Sequence, residues 1–476
     1  DVTQNGFTIT GTPTSDVNIT LPAVGKEYFT VEGGTRNQDW TYSNGVLTIQ
    51  KPGDYKISAD GSESNNRIVV AEGFKNGTIT IENINLKVGY NISPFEVNNT
   101  VDLTIILSGN NKLYSEAIRA GIEFNDSTTG HLTIDGTGYL EVQASTGGAA
   151  IGGAAFKSGN NITIKKGNII ASALRQINHP GGSGIGGGYQ GSAHNLVIDG
   201  GNIKATSGYY NAAIGVGADN ADGDITINGG TIIAETSMGG AAIGSGYNCQ
   251  NPIKVTINGG NITANAKGGY GVDIGSGSTQ ESEIFINGGT ITCEKEGIGY
   301  NDNVVISGGS IKAPAISLDN KPAHNSKGEQ LYPITIMNES GLNEISIDGA
   351  QFTKDGNHIS NNIEDSAFYL YLTEEDHKVK IGDKEFVAVW DNDSKQFIQK
   401  DYPLSPQDIQ IEKVYKDRIV IKSIEESVYG KAEYSLDGKN YQESNMFTGL
   451  EADTEYTVYV RYKGNNSYVP SKPLSV

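Results

Sequence analysis

Tyr189, Tyr247 and Tyr300 stand just after an Ile-Gly pair that recurs along the chain, and Tyr209, Tyr210 and Tyr270 fall just before it. If the recurring places lie along one edge, they make a row of aromatic faces. Such a row suits stacking against sugar rings, because tyrosine offers an apolar face together with a hydroxyl. Tyr189, Tyr210, Tyr247, Tyr270 and Tyr300 are therefore the candidate ligand-binding residues. The alternative is that these rings cover glycine-rich corners.

Carboxylates are the candidates for catalysis. Asp273 occupies a place held by Ala150, Gly184, Ala213 and Ala242 in sister copies, and a charge at a small-residue position needs a reason. Glu281, Glu283, Glu296 and Asp302 lie near it in register, with Asp219, Asp222 and Asp224 on the other side. Two carboxyl groups about 5 to 9 Å apart would serve a glycosidase, and stacked strands about 4.8 Å apart are able to supply that gap. The competing reading is of solvated loop acids. Asn220-Ala-Asp222-Gly-Asp224 resembles the middle of a calcium loop, with oxygen ligands on alternate residues, but Ala218 stands where the first acidic ligand belongs and no Glu follows. Calcium is the one metal this suggests, and otherwise no cofactor is expected. His179 and His194 lack a third ligand at zinc spacing. Gly184-Ile-Gly-Gly-Gly precedes no helix, so a phosphate loop is rejected.

These residues are positioned by a sequence of about thirty residues written six times between positions 132 and 313. Residues 224–246 read DITINGGTIIAETSMGGAAIGSG and residues 254–277 read KVTINGGNITANAKGGYGVDIGSG. Each copy divides into three short strands. The first alternates as Ile-x-Ile, a Gly-Gly corner follows, and the second sends inward an Ile and then a small residue: Ala171, Ala205, Ala234, Ala264, Cys293 and Ala313. The third sends in Ile151, Ile185, Ile214, Ile243, Ile274 and Ile298. Such a coil returns to its start one strand spacing higher, which is a parallel β-helix, and crossover chirality makes it right-handed. Anchors at Ile79, Leu103, Leu132, Ile162, Leu196, Ile225, Val255, Ile284 and Val304 imply nine rungs and a rod of roughly 45 Å. Asn228, Asn258 and Asn287 recur at the first corner and read as an internal ladder capping backbone groups.

The fold class is thus all-β: a right-handed parallel β-helix (solenoid) with β caps and a C-terminal β-sandwich. The 63 glycines follow from the corners, and the formal charge of −20 argues against nucleic acid and anionic membrane surfaces. No apolar run approaches the length of a membrane span. Cys249 and Cys293 fall on different rungs and are expected as free thiols. The chain opens at Asp1 rather than Met, as a processed or recombinant fragment would.

In chain order, residues 1–60 read as an N-terminal β cap, 61–320 as the β-helix, 321–400 as a small β capping domain and 401–476 as a separate module. The last has seven-strand spacing, and its Leu450, Thr454 and Tyr456 resemble the tyrosine corner of a fibronectin type III domain. Leu132-Thr-Ile-Asp-Gly-Thr-Gly and the Ala-Ile-Gly-x-Gly…Ile-Asn-Gly-Gly series resemble the Gly-rich β-helix region of large exported surface proteins of Gram-positive bacteria. That resemblance implies an extracellular location, on a cell surface or secreted, and carries over no catalytic residue. The expectation is a monomeric, glycan-binding, adhesin-type protein that faces a polysaccharide or host glycan and does not insert in membranes. The alternatives are a polysaccharide hydrolase or lyase using Asp273 with loop acids, and a structural spacer.

Overall fold

The computed structural model describes residues 3–4, 7–8 and 27–476, apart from 174–180, 220, 268–270, 277–280, 317–320, 339–340 and 354–366. No helix occurs among the described residues. Three long sheets of eleven, nine and ten strands run side by side along a right-handed solenoid. Seven consecutive turns carry a strand in all three sheets, from Gly77–Glu82 to Ile274–Gly275. Two further turns keep their first two strands and reduce the third to single bridges at Ile298 and Ile316.

Parallel register stacks like on like. Ile162, Leu196, Ile225, Val255, Ile284 and Val304 lie one above another, as do Ala171, Ala205, Ala234, Ala264 and Cys293, and Ile151, Ile185, Ile214, Ile243 and Ile274. Each buried Ile contributes about 2 kcal/mol of apolar burial, and the small row leaves room for the larger ones across a narrow core. Ala313 ends this row just past the last second-sheet strand, next in register after the Thr292–Lys312 pair, half-buried and packed against the core. Ile79 is offset, because its partner is Ile105 while Leu103 faces Gly77. The first irregular rung therefore carries its anchor one inward position later.

Parallel pairing begins inside the segment read as a cap. Asp54–Ser58 joins the first sheet and Val46–Ile49 the third, leaving Thr30–Glu32 and Trp40–Ser43 as antiparallel additions. At the far end, Tyr332–Met337 and Ala367–Leu372 pair antiparallel, the Tyr369 amide donates to Ser310 Oγ at 3.1 Å, and Tyr371 packs against the helix core. A five-stranded antiparallel sheet follows, from Glu344–Ile347 to Gln396–Asp401 in chain order. Two three-stranded antiparallel sheets then enclose their own core of Ile421, Tyr434, Phe447, Val458 and Val460. Six strands, rather than the expected seven, build this sandwich among the described residues.

The asparagine ladder is external, contrary to the expectation. Asn228 Nδ2 donates to Asp199 at 2.7 Å, and Asn258 to Asn228 and Asn287 to Asn258 at 2.8 Å each, all with exposed side chains. The corner turns the amide outward, where its partner is the carboxylate or amide side chain of the rung before rather than a backbone group.

Candidate functional site

The third strand is only two residues long, so the segments before and after it meet at one edge of the rod. The Tyr189 amide donates to Gly147 O at 2.8 Å and the Tyr247 amide to Tyr210 O at 2.6 Å, each joining a residue after the strand to one before it in an earlier turn. The Ile-Gly pair itself is fixed by sterics. Gly186 has a φ of 127°, and a Cβ there would lie 2.0 Å from Gly215 O in the next turn.

Three of the expected tyrosines come together on this edge. Tyr210 and Tyr247 are tilted against each other with ring centroids 5.3 Å apart, and Tyr209 lies 5.8 Å from Tyr210. Both Tyr210 and Tyr247 remain 38% exposed. Tyr189 meets the edge of Phe156 at 5.5 Å, and Phe156 is 64% exposed. Polar groups stand between the two ring pairs: Asp219 accepts from Tyr189 Oη at 3.1 Å, Gln190 Nε2 at 2.7 Å and Asn248 Nδ2 at 3.3 Å. Burial, and then the acceptor Asp219, push the Tyr189 phenol above its ordinary value. Tyr300 is exposed on a later turn, and Tyr270 lies outside the described residues.

Phe156, Gln190 and Asn248 stand out nowhere in the sequence, and Asp219 does so only as one of the acids near Asp273. They occupy the place one residue beyond Tyr189 and Tyr247 in register, and all four have positive φ, from 55° to 63°. The residue types differ from copy to copy, so only the alignment of the loops reveals them.

The candidate catalytic acids are used otherwise. Asp273 is fully buried; Oδ1 accepts the Ala266 amide at 2.7 Å, and Oδ2 accepts the amides of Lys295, Glu296 and Gly297 at 2.9 to 3.1 Å. Its charge replaces the missing backbone partners of a corner where the coil changes shape, and it has no surface to offer a glycan. Asp302 is also fully buried, accepting the Ser276 and Ser282 amides at 2.9 and 3.0 Å. Desolvation raises its carboxyl to about 6, against the lowering effect of its amide donors. Glu281 pairs with Lys321 at 3.0 Å, Glu283 is exposed on its strand, and Glu296 is half-buried.

Of the calcium candidates, Asn220 lies outside the described residues. Asp222 and Asp224 flank His194 at 3.3 and 3.4 Å, Asp222 also accepts from Ser192 Oγ, and Asp224 accepts the Asn195 amide at 3.0 Å. Among the described residues no three or more His, Cys, Asp or Glu side chains are arranged to hold a metal. Cys249 and Cys293 are buried free thiols; burial pushes Cys249 up to about 11, and its Sγ donates to Ala221 O at 2.6 Å.

The family described as Beta helix repeat matches residues 162–189, 196–215 and 225–247, the turns that carry this edge. No curated protein and no solved structure matches the chain.

Proposed function

We propose that this is an extracellular glycan-binding protein, cell-surface or secreted, whose β-helix holds a polysaccharide along the aromatic edge of Phe156, Tyr189, Tyr210 and Tyr247. The observation that carries this reading is the pairing of rings, exposed Phe156 with half-buried Tyr189 and exposed Tyr210 with exposed Tyr247, around a polar centre at Asp219. Aromatic faces supply stacking area and the interleaved amides and carboxylate supply donors and acceptors, the combination a sugar ring needs. Binding is favoured over cleavage because Asp273 and Asp302 are enclosed and bonded to backbone amides. The C-terminal sandwich supports a fibronectin type III-like spacer. Ile411–Tyr415, Arg418–Ile421 and Met446–Thr448 form one sheet and Ala432–Ser435, Tyr459–Tyr462 and Leu474–Ser475 the other, while Tyr456 Oη accepts the Glu451 amide at 2.9 Å as a tyrosine corner does. An exported bacterial surface protein is the setting in which such a spacer and such a rod serve together.

The test is retention of the full chain on a panel of polysaccharides, with sugar release read from the same samples. Retention without release, lost when Tyr210 and Tyr247 are both changed to Ala, is the expected result. Release of product would make the protein an enzyme; neither retention nor release would leave a spacer.

A further inference from the structure

Beside this edge a cleft of about 550 Å³ opens over the irregular early turns. Its walls include Tyr90, Tyr114, Glu63, Lys87, Glu116 and Gln143. Tyr90 is 78% exposed, more than any other large apolar or aromatic side chain among the described residues. Lys87, Tyr114 and Gln143 follow one another in register on the outer face of the second sheet, and Tyr90 and Glu116 pair at its end. Among the described residues, Glu63, Lys87 and Glu116 form no ion pair with one another.

The cleft is continuous with the aromatic edge. Ala117 and Thr146 line it, and their neighbours Ile118 and Gly147 accept the amides of Ala155 and Tyr189, the residues that carry Phe156 and the first tyrosine of the edge. Tyr90, Ala117, Thr146 and Tyr209 stand five residues ahead of Phe95, Ile122, Ile151 and Ile214, which belong to one stacked column of the third sheet. From Phe95 to Ile243 that column spans about 24 Å at about 4.8 Å per step.

We propose that a neutral glycan chain lying on the edge seats its end unit in this cleft, an inference that rests on the glycan-binding reading above. The volume falls in the range of pockets that enclose small ligands, and the exposed Tyr90 face gives a platform at the end of the ring path. The unpaired ammonium and two carboxylates offer donors and acceptors to hydroxyl groups. Two carboxylates against one ammonium, on a chain of charge −20 with Asp219 at the middle of the edge, repel an anionic sugar.

The test titrates the full chain with neutral β-glucan and mannan oligosaccharides of two to six units, and with oligogalacturonides of the same lengths. The wild type is expected to bind a neutral hexamer better than the dimer. Tyr90→Ala should weaken that binding about tenfold with an unchanged melting curve, since Tyr90 makes little contact in the fold. Oligogalacturonides should bind at least about tenfold more weakly, and the Glu63→Gln/Glu116→Gln variant should narrow that gap. Hexamer binding that survives Tyr90→Ala but is lost with Tyr247→Ala overturns the cleft and leaves the edge standing. Equal affinity for oligogalacturonides overturns the selection for neutral chains. Failure of the wild type to bind either neutral series overturns the cleft and the edge together.

Discussion

At the scale of single residues, the two buried aspartates do opposite things to stability. Asp273 supplies one carboxylate to four backbone amides, so Asp273→Ala takes their acceptor from all four, two of them buried and two part-buried. A loss of about 3–5 kcal/mol in denaturant unfolding is expected. A loss below about 1 kcal/mol would show that the corner rearranges freely. For Asp302 the sign follows from linkage: a carboxyl raised to about 6 in the fold, from an ordinary value of 3.8, binds its proton more tightly folded than unfolded. Its unfavourable contribution is absent below about pH 4, grows between pH 4 and 6, and reaches about 3 kcal/mol above that. Asp302→Asn cannot ionise, so the stability of the variant relative to wild type should rise by about that amount between pH 4 and pH 7. Melting curves at the two pH values check this, and a difference that stays constant would refute it. The charge of Asp273 at a small-residue place was visible in the sequence. Its meaning was not, because four of the atoms that use it belong to backbone, which no residue type reports.

At the scale of the element, the sequence declared the strands and their inward rows, since a period-two pattern repeated in register leaves little choice of face. What it did not declare was how the corners are occupied. The Asn228, Asn258 and Asn287 ladder points outward because a Gly-Gly corner leaves the inner side to backbone, a decision made by φ rather than by side-chain chemistry. The two kinds of corner feature should differ in cost. Asn258→Ala removes exposed amide contacts and should cost under about 1 kcal/mol. Gly186→Ala drives a methyl group into the backbone of the next turn at a positive φ and should cost about 3 kcal/mol or more. Chemical denaturation of the two variants measures the contrast. The tyrosines were legible for the same reason as the core rows, by repetition. Phe156, Tyr90 and Tyr114 were not, because the first lies one place off the repeat and the others sit in turns whose lengths vary.

At the scale of the whole molecule, the solenoid depends on its ends being covered, as each turn buries its apolar rows only against the turns beside it. Tyr371, pressed against the last turns from the capping strands, and held up to about 12 by burial, helps to close the far end together with the buried Ala323 and Leu331. Tyr371→Ala should lower stability by about 3 kcal/mol and promote end-to-end association. Light scattering during a melt reads both effects, and a variant that melts like wild type without associating would place the closure elsewhere.

The direction of the inter-turn hydrogen bonds has a mechanical meaning. In all three sheets those bonds lie along the axis of the rod, so a tension applied between its ends loads one turn's bonds at a time and peels the turns in succession, without shearing a whole sheet at once. Each turn released adds about thirty residues of slack, on the order of 100 Å of extended chain. A molecule tethered at one end and holding a polymer along its side would therefore yield to a steady pull by lengthening in steps, and its grip on the polymer would shorten as the turns bearing it were drawn off.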